Sequence, residues 1–183
     1  MRRVLLLITS LVIAPALHAT VLVPAEFREI VSGSQIIVHG RVAEVRGEWT
    51  DDRRRIDTIV TLDAGSYLKG GPGERVTFRV PGGTIGRYRT LMVGAPEFRA
   101  GDEVVLFLKA NGPSVAHVFG LSQGVFRVRR DARTRQRMVV PPALMAQRET
   151  PQKVTRGATD RRPVALSAFQ AQVRAALATG GVR

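Results

Sequence analysis

Gln35-Ile36-Ile37-Val38-His39-Gly40-Arg41-Val42-Ala43-Glu44-Val45 opens with an apolar run and then alternates apolar with polar residues. That is the pattern of a strand entering a core. Gly40 interrupts it where a bulge or a barrel bend is expected. A polar tip at 48–55 separates this run from Ile56-Asp57-Thr58-Ile59-Val60-Thr61-Leu62-Asp63, which continues towards Tyr67-Leu68. The two runs predict a long hairpin.

Outward from that hairpin, Lys69-Gly70-Gly71-Pro72-Gly73-Glu74 is turn chemistry. Arg75-Val76-Thr77-Phe78-Arg79-Val80 follows, with Val76, Phe78 and Val80 on one side, and Pro81-Gly82-Gly83 closes it. Further strands are expected at 87–93, 103–109, 114–119 and 125–130, with Asn111-Gly112 as a hairpin turn. About seven short strands at regular spacing predict a mainly β chain, an antiparallel sandwich or barrel. Upstream, Phe27, Ile30 and Val31 recur at helical spacing within 24–34, with Pro24 suited to the first turn and Gly33 to the C-cap. Downstream, 141–165 reads as a polar linker. Leu166, Phe169, Val173 and Leu177 then define an amphipathic helix at 166–179. One apolar stripe predicts docking on the chain's own core. A membrane-surface anchor is the alternative, disfavoured because Arg174 is the only charge on the polar face.

The first nineteen residues read as a signal peptide: Arg2 and Arg3, an apolar stretch at 4–13, then Pro15 among the small residues Ala14, Ala16 and Ala19. The apolar stretch is shorter than the ~20 residues of a spanning helix. Cleavage after Ala16 would leave Leu17 first; cleavage after Ala19 would leave Thr20 and is favoured, because Pro15 then ends the apolar helix a few residues ahead of the cut. The product is expected in the periplasm or outside the cell, with one barrel domain at 20–140. Loss of Arg2 and Arg3 takes the formal charge from +13 to +11. Only Lys69, Lys109 and Lys153 are lysines, so 25 of the 28 basic residues are arginine. The absence of cysteine excludes disulfides, thiol chemistry and cysteine-bound metals.

Catalytic signatures are missing. His39 and His117 lie in expected strands, with no His, Asp or Glu at metal-ligand spacing. Ser32, Ser34, Ser66 and Ser122 lack a nucleophile-elbow context. Gly82-Gly83-Thr84-Ile85-Gly86-Arg87 has neither the lysine nor the following helix of a phosphate loop and reads as a hairpin turn. Asp51-Asp52 is followed by three arginines and reads as a solvated tip rather than a calcium loop. No cofactor and no intrinsic metal are expected. The remaining concentration of chemistry is Arg127, Arg129, Arg130, Arg133, Arg135 and Arg137. These could bind an anionic glycan, an envelope component or an acidic protein in a salt-dependent way, or form a solvated face. Export and sparse aromatic residues argue against nucleic acid.

The order of helix, long first strand, polar tip, second strand ending Tyr67-Leu68-Lys69-Gly70, and later Val104-Val105-Leu106-Phe107-Leu108 resembles the netrin-like domain of tissue inhibitors of metalloproteinases. The likeness spans 20–128 and includes Val23-Pro24 near the expected mature start. It implies an OB-type five-stranded barrel with extra strands or helices. It also implies a partner, a zinc metalloprotease, whose metal is chelated by the free amine and first carbonyl at Thr20 while Val21 enters the specificity pocket. Thr20, Val21, Leu22, Val23 and Pro24 would then form the contact edge. A neutral terminal amine is a good zinc ligand, and an α-amino pKa of about 8 makes its deprotonation inexpensive. The expected function is therefore a non-enzymatic, exported, protein-binding barrel, possible inhibition through its mature terminus being the sharpest version and polyanion binding through the arginines the alternative.

Overall fold

In the computed structural model, which describes residues 24–110, 115–142 and 162–180, the strand Glu103–Lys109 (β6) is buried on both faces. Val104, Leu106 and Leu108 point into one core while Val105 and Phe107 point into another, and all five are fully buried. A strand covered on both faces loses the apolar/polar alternation of a half-buried one, hence the unbroken run Val104 to Leu108.

The first core is the interior of a closed barrel. Its strands are β1 (Ile36–Trp49), β2 (Ile56–Lys69), β3 (Arg75–Pro81), β7 (Ala116–Val118) and β6, in the order β1-β2-β3-β7-β6 with β6 returning to β1. All neighbours are antiparallel except β3 and β7, which run parallel. This is the expected OB-type architecture. Val38, Val42, Val60, Leu62, Phe78 and Leu106 are among the side chains that fill it. The β1–β2 hairpin shifts register at His39/Gly40, as the glycine suggested. A Cβ on Gly40 would lie 2.3 Å from the Asp63 carbonyl oxygen and 2.9 Å from Leu62, so the close strand approach at this bend admits only glycine.

The second core lies outside the barrel wall. There β8 (Val125–Arg130) pairs with β6, and β9 (Arg137–Val140) with β8; β10 (Val164–Ala165) completes the sheet. Two helices cover this extension, α1 (Phe27–Ser32) and α2 (Leu166–Gly180). Ile30 and Val31 of α1 and Leu166, Phe169 and Val173 of α2 bury against Ile37, Phe107, Phe126, Val128 and Val139. Phe126 and Phe169 stack with centroids 4.8 Å apart, and Phe107 lies 5.2 Å from Phe126. The apolar stripe of α2 therefore docks on the chain's own core.

The structure departs from expectation in four places. Helix α1 is shorter than 24–34, because Glu26 is the extended N-cap of a capping box with Glu29 and Gly33 ends the helix. The strand expected at 87–93 contracts to β5 (Tyr88–Thr90), paired only with β4 (Gly83–Ile85). Thr90 Oγ1 there accepts from the Ile56 amide at 2.9 Å, and Leu91, Met92 and Val93 continue as an exposed loop. Strand β9 was hidden in sequence by its flanking arginines. The stretch 141–165 ends in β10, whose Val164 and Ala165 pair with Val139 and Met138. The expected signal segment 1–19, the expected contact edge at 20–23, the hairpin turn expected at Asn111-Gly112 and residues 143–161 lie outside the described residues. Among the described residues, no helix is long and apolar enough to cross a membrane.

Candidate functional site

The pleat of β8 sends Phe126 and Val128 towards the helices and Arg127 and Arg129 to the opposite face. The six arginines singled out in sequence divide into two groups. Arg127 and Arg137 are each paired with a carboxylate. Arg127 Nη1 pairs with Asp102 Oδ2 at 2.9 Å, Nη2 donates to the Glu97 carbonyl, and the guanidinium lies 5.8 Å from the Phe98 ring centroid. It latches the loop ahead of β6 onto β8. Arg137 pairs with Glu103 at 3.3 Å.

Arg129, Arg130, Arg133 and Arg135 are exposed at the β8–β9 turn, and none has a carboxylate partner among the described residues. Arg130 sits directly across from Arg137 in the ladder. Like charges in that position repel unless an anion sits between them. Asp131, the nearest acid, is committed to the turn: its Oδ1 accepts from the Thr134 amide at 2.8 Å, the Thr134 hydroxyl at 3.0 Å and the Arg133 amide at 3.0 Å. Those hydrogen bonds, the Thr134 amide's foremost, hold its carboxyl below the usual aspartate range. Arg135 closes the turn at φ 59°, a left-handed conformation that glycine or asparagine adopts more readily.

A second polar constellation lies on the outer barrel wall. His39 Nε2 and Glu103 Oε1 are 2.9 Å apart, Arg41 Nη2 reaches Glu103 Oε2 at 3.5 Å, and Arg137 completes the set. The two central side chains are largely buried, 12% and 15% exposed. Burial by itself would raise the Glu103 carboxyl; hydrogen bonds and charge from His39 and Arg137 outweigh it, so its pKa lies below the ordinary glutamate value. A cleft of about 500 Å³ opens beside this group, lined by His39, Ser66, Gln136, Arg137, Ser167 and Gln170 among others. Ser66 faces His39 in the β1–β2 register, yet no hydrogen bond joins them among the described residues. The group ties β1, β6 and β9 together. Sequence reasoning missed it because His39 and Glu103 are 64 residues apart and meet only through the β1–β6 register.

Of the edge 20–24, only Pro24 is described. It is half-buried, and the next amide, Ala25 N, donates to Oε1 of the buried Gln123 at 2.6 Å. Among the described residues, no three His, Asp or Glu side chains are grouped to hold a metal ion. Comparison of the chain with protein-family models, curated proteins and solved structures returned no match.

Proposed function

We propose that this chain is an exported, non-enzymatic binding module that engages anionic partners through the β8–β9 turn. The observation that carries this reading is the exposure of Arg129, Arg130, Arg133 and Arg135 without carboxylate partners beside an Asp131 already committed to the turn. Arginine suits phosphate, sulfate and carboxylate groups because its planar fork donates two parallel hydrogen bonds. Heparin serves as the test polyanion. Retention should fall steeply with salt, and replacing Arg129, Arg130 and Arg133 by serine should flatten that dependence by roughly two to three released counterions. Arg53, Arg54 and Arg55 changed to serine should leave most of the retention. An unaltered profile in the β8–β9 variant refutes the reading.

A second reading keeps the terminal edge as a metalloprotease-binding segment, with Thr20 as chelator and Val21 in the specificity pocket. Its support is the Ala25 to Gln123 hydrogen bond, which anchors the chain just after that edge and lowers the cost of ordering it. Sequencing the secreted product should give Thr20 as first residue. Inhibition of a panel of zinc proteases should then disappear when a single alanine is added ahead of Thr20. Equal potency of the two forms, or none from either, sinks it.

A further inference from the structure

Six large apolar side chains are exposed among the described residues, and five of them, Trp49, Tyr88, Leu91, Met92 and Val93, gather at one end of the barrel. The strand register defines that end: β1 turns into β2 there, β3 leaves at Pro81, β6 begins at Glu103, and β8 leaves at Arg130. The arginine turn therefore projects from the same end as the apolar loop. Arg127 joins the two, since it binds both Asp102 and the Glu97 carbonyl.

The loop is presented by a rigid support. Phe98 is buried against Phe78 with centroids 5.3 Å apart, and the Ala95 amide returns to the Met92 carbonyl at 3.2 Å across Gly94 at φ 83°. Leu91 and Val93 are 72% and 79% exposed at this turn. From Gly82 to Pro96 there is no acidic residue, while Arg87 and Arg89 are both exposed. Arg87 lies 5.1 Å from the Tyr88 ring centroid, and Tyr88 packs on Trp49 at 5.6 Å. The β1–β2 tip beside Trp49 and Tyr88 adds Glu48, Asp51 and Asp52, which arginines outnumber across this end. Apolar tips, interfacial aromatics and an excess of cations are the combination an anionic bilayer surface rewards: the tips enter the headgroup–acyl boundary, Trp and Tyr sit at headgroup level, and arginine meets phosphate.

We propose that this end of the barrel docks on an anionic phospholipid surface, with Leu91, Met92 and Val93 inserted and Arg87, Arg89 and the arginines of the β8–β9 turn on the headgroups. The proposal rests on the anion-binding reading of that turn and adds the apolar loop and the partner. Trp49, the chain's only tryptophan, is a built-in reporter. Full-length secreted protein is titrated with phosphatidylglycerol/phosphatidylcholine vesicles, with pure phosphatidylcholine vesicles and with heparin. Trp49 fluorescence should shift to the blue with the anionic vesicles only. The Leu91→Ser/Met92→Ser/Val93→Ser protein should lose about tenfold or more in vesicle affinity with heparin retention unchanged. Single Leu91→Ser and Val93→Ser proteins should lose less, and the same melting curve in all of them shows the fold intact. Heparin binding without vesicle binding overturns the lipid proposal and leaves the anion reading standing; loss of both overturns the two together. Unchanged vesicle binding by the triple variant, or a concentration-dependent dimer that the triple variant alone abolishes, also overturns it, the latter in favour of a second copy of this chain as occupant.

Discussion

The β1–β2 and β8–β9 tips are built by the same turn chemistry and carry different charge balances. In the first, Asp52 Oδ1 accepts from the Thr50 hydroxyl at 2.5 Å and the Arg54 amide at 3.1 Å, and Arg53 takes φ 52°. In the second, Asp131 accepts from Thr134 and Arg133, and Arg135 takes φ 59°. In both, hydrogen bonds from the turn, the Thr50 hydroxyl's and the Thr134 amide's foremost, hold the aspartate carboxyl below its usual range. The first tip offsets its arginines with Asp51, Asp52 and Glu48, the last paired with Arg46 at 3.4 Å. The second has Asp131 alone. Turn geometry is thus independent of net charge, and the excess of cations at one of two equivalent turns is not required for folding that turn, which is why the proposed binding reading rests on it.

The comparison breaks first at the attachment of the second tip. Phe126 is fully buried between β8 and α2, whereas the first tip continues directly from barrel strands. Phe126→Ala should cost about 3–5 kcal/mol in chemical denaturation and expose the β8–β9 region to proteolysis before the β1–β2 tip. Simultaneous cleavage of both regions would show that the extension and the barrel unfold as one unit.

Glu103→Gln should have a smaller effect, about 1–2 kcal/mol near neutral pH, because it weakens the joint between β9 and the barrel at His39 and Arg137. The sign of its pH dependence follows from a folded-state pKa below the ordinary glutamate value of 4.5. The stabilisation is present above that value and is lost as pH falls from it through the lower folded-state value. Wild-type stability should therefore converge on that of Glu103→Gln below about pH 4.5. A difference that stays constant through that range refutes the assignment.

The finest test is a matched pair. Arg53→Gly and Arg135→Gly each relieve a left-handed arginine and should each raise stability by about 1 kcal/mol. Only Arg135→Gly should weaken heparin retention. Equal losses of retention would erase the functional distinction between the tips.

Local pattern made much of this legible. Alternation in 75–80, the turn chemistry of 69–74, the bend at Gly40 and the apolar stripe of α2 each follow from side-chain period or backbone freedom, and each recurs in the structure. Pattern misled at Leu91-Met92-Val93, where three apolar residues suggested a strand and form an exposed loop. It was silent at Arg137–Val140, where arginines mask a strand whose buried residue is Val139. Both failures come from reading burial off hydropathy alone. A ladder needs a neighbouring backbone as well as apolar side chains, and only the assembled sheet supplies one.

By itself, the sequence determined the strand-rich class, the hairpin order, the cysteine-free chemistry and the presence of an arginine cluster, all properties of residue type and spacing. Tertiary structure decided the rest: that β6 serves two cores, that His39 meets Glu103, and that Arg127 and Arg137 are bound while four neighbouring arginines face solvent. Those facts depend on which strands lie side by side. Strand neighbours are selected by non-local burial and closure of the barrel, terms that no window of sequence contains.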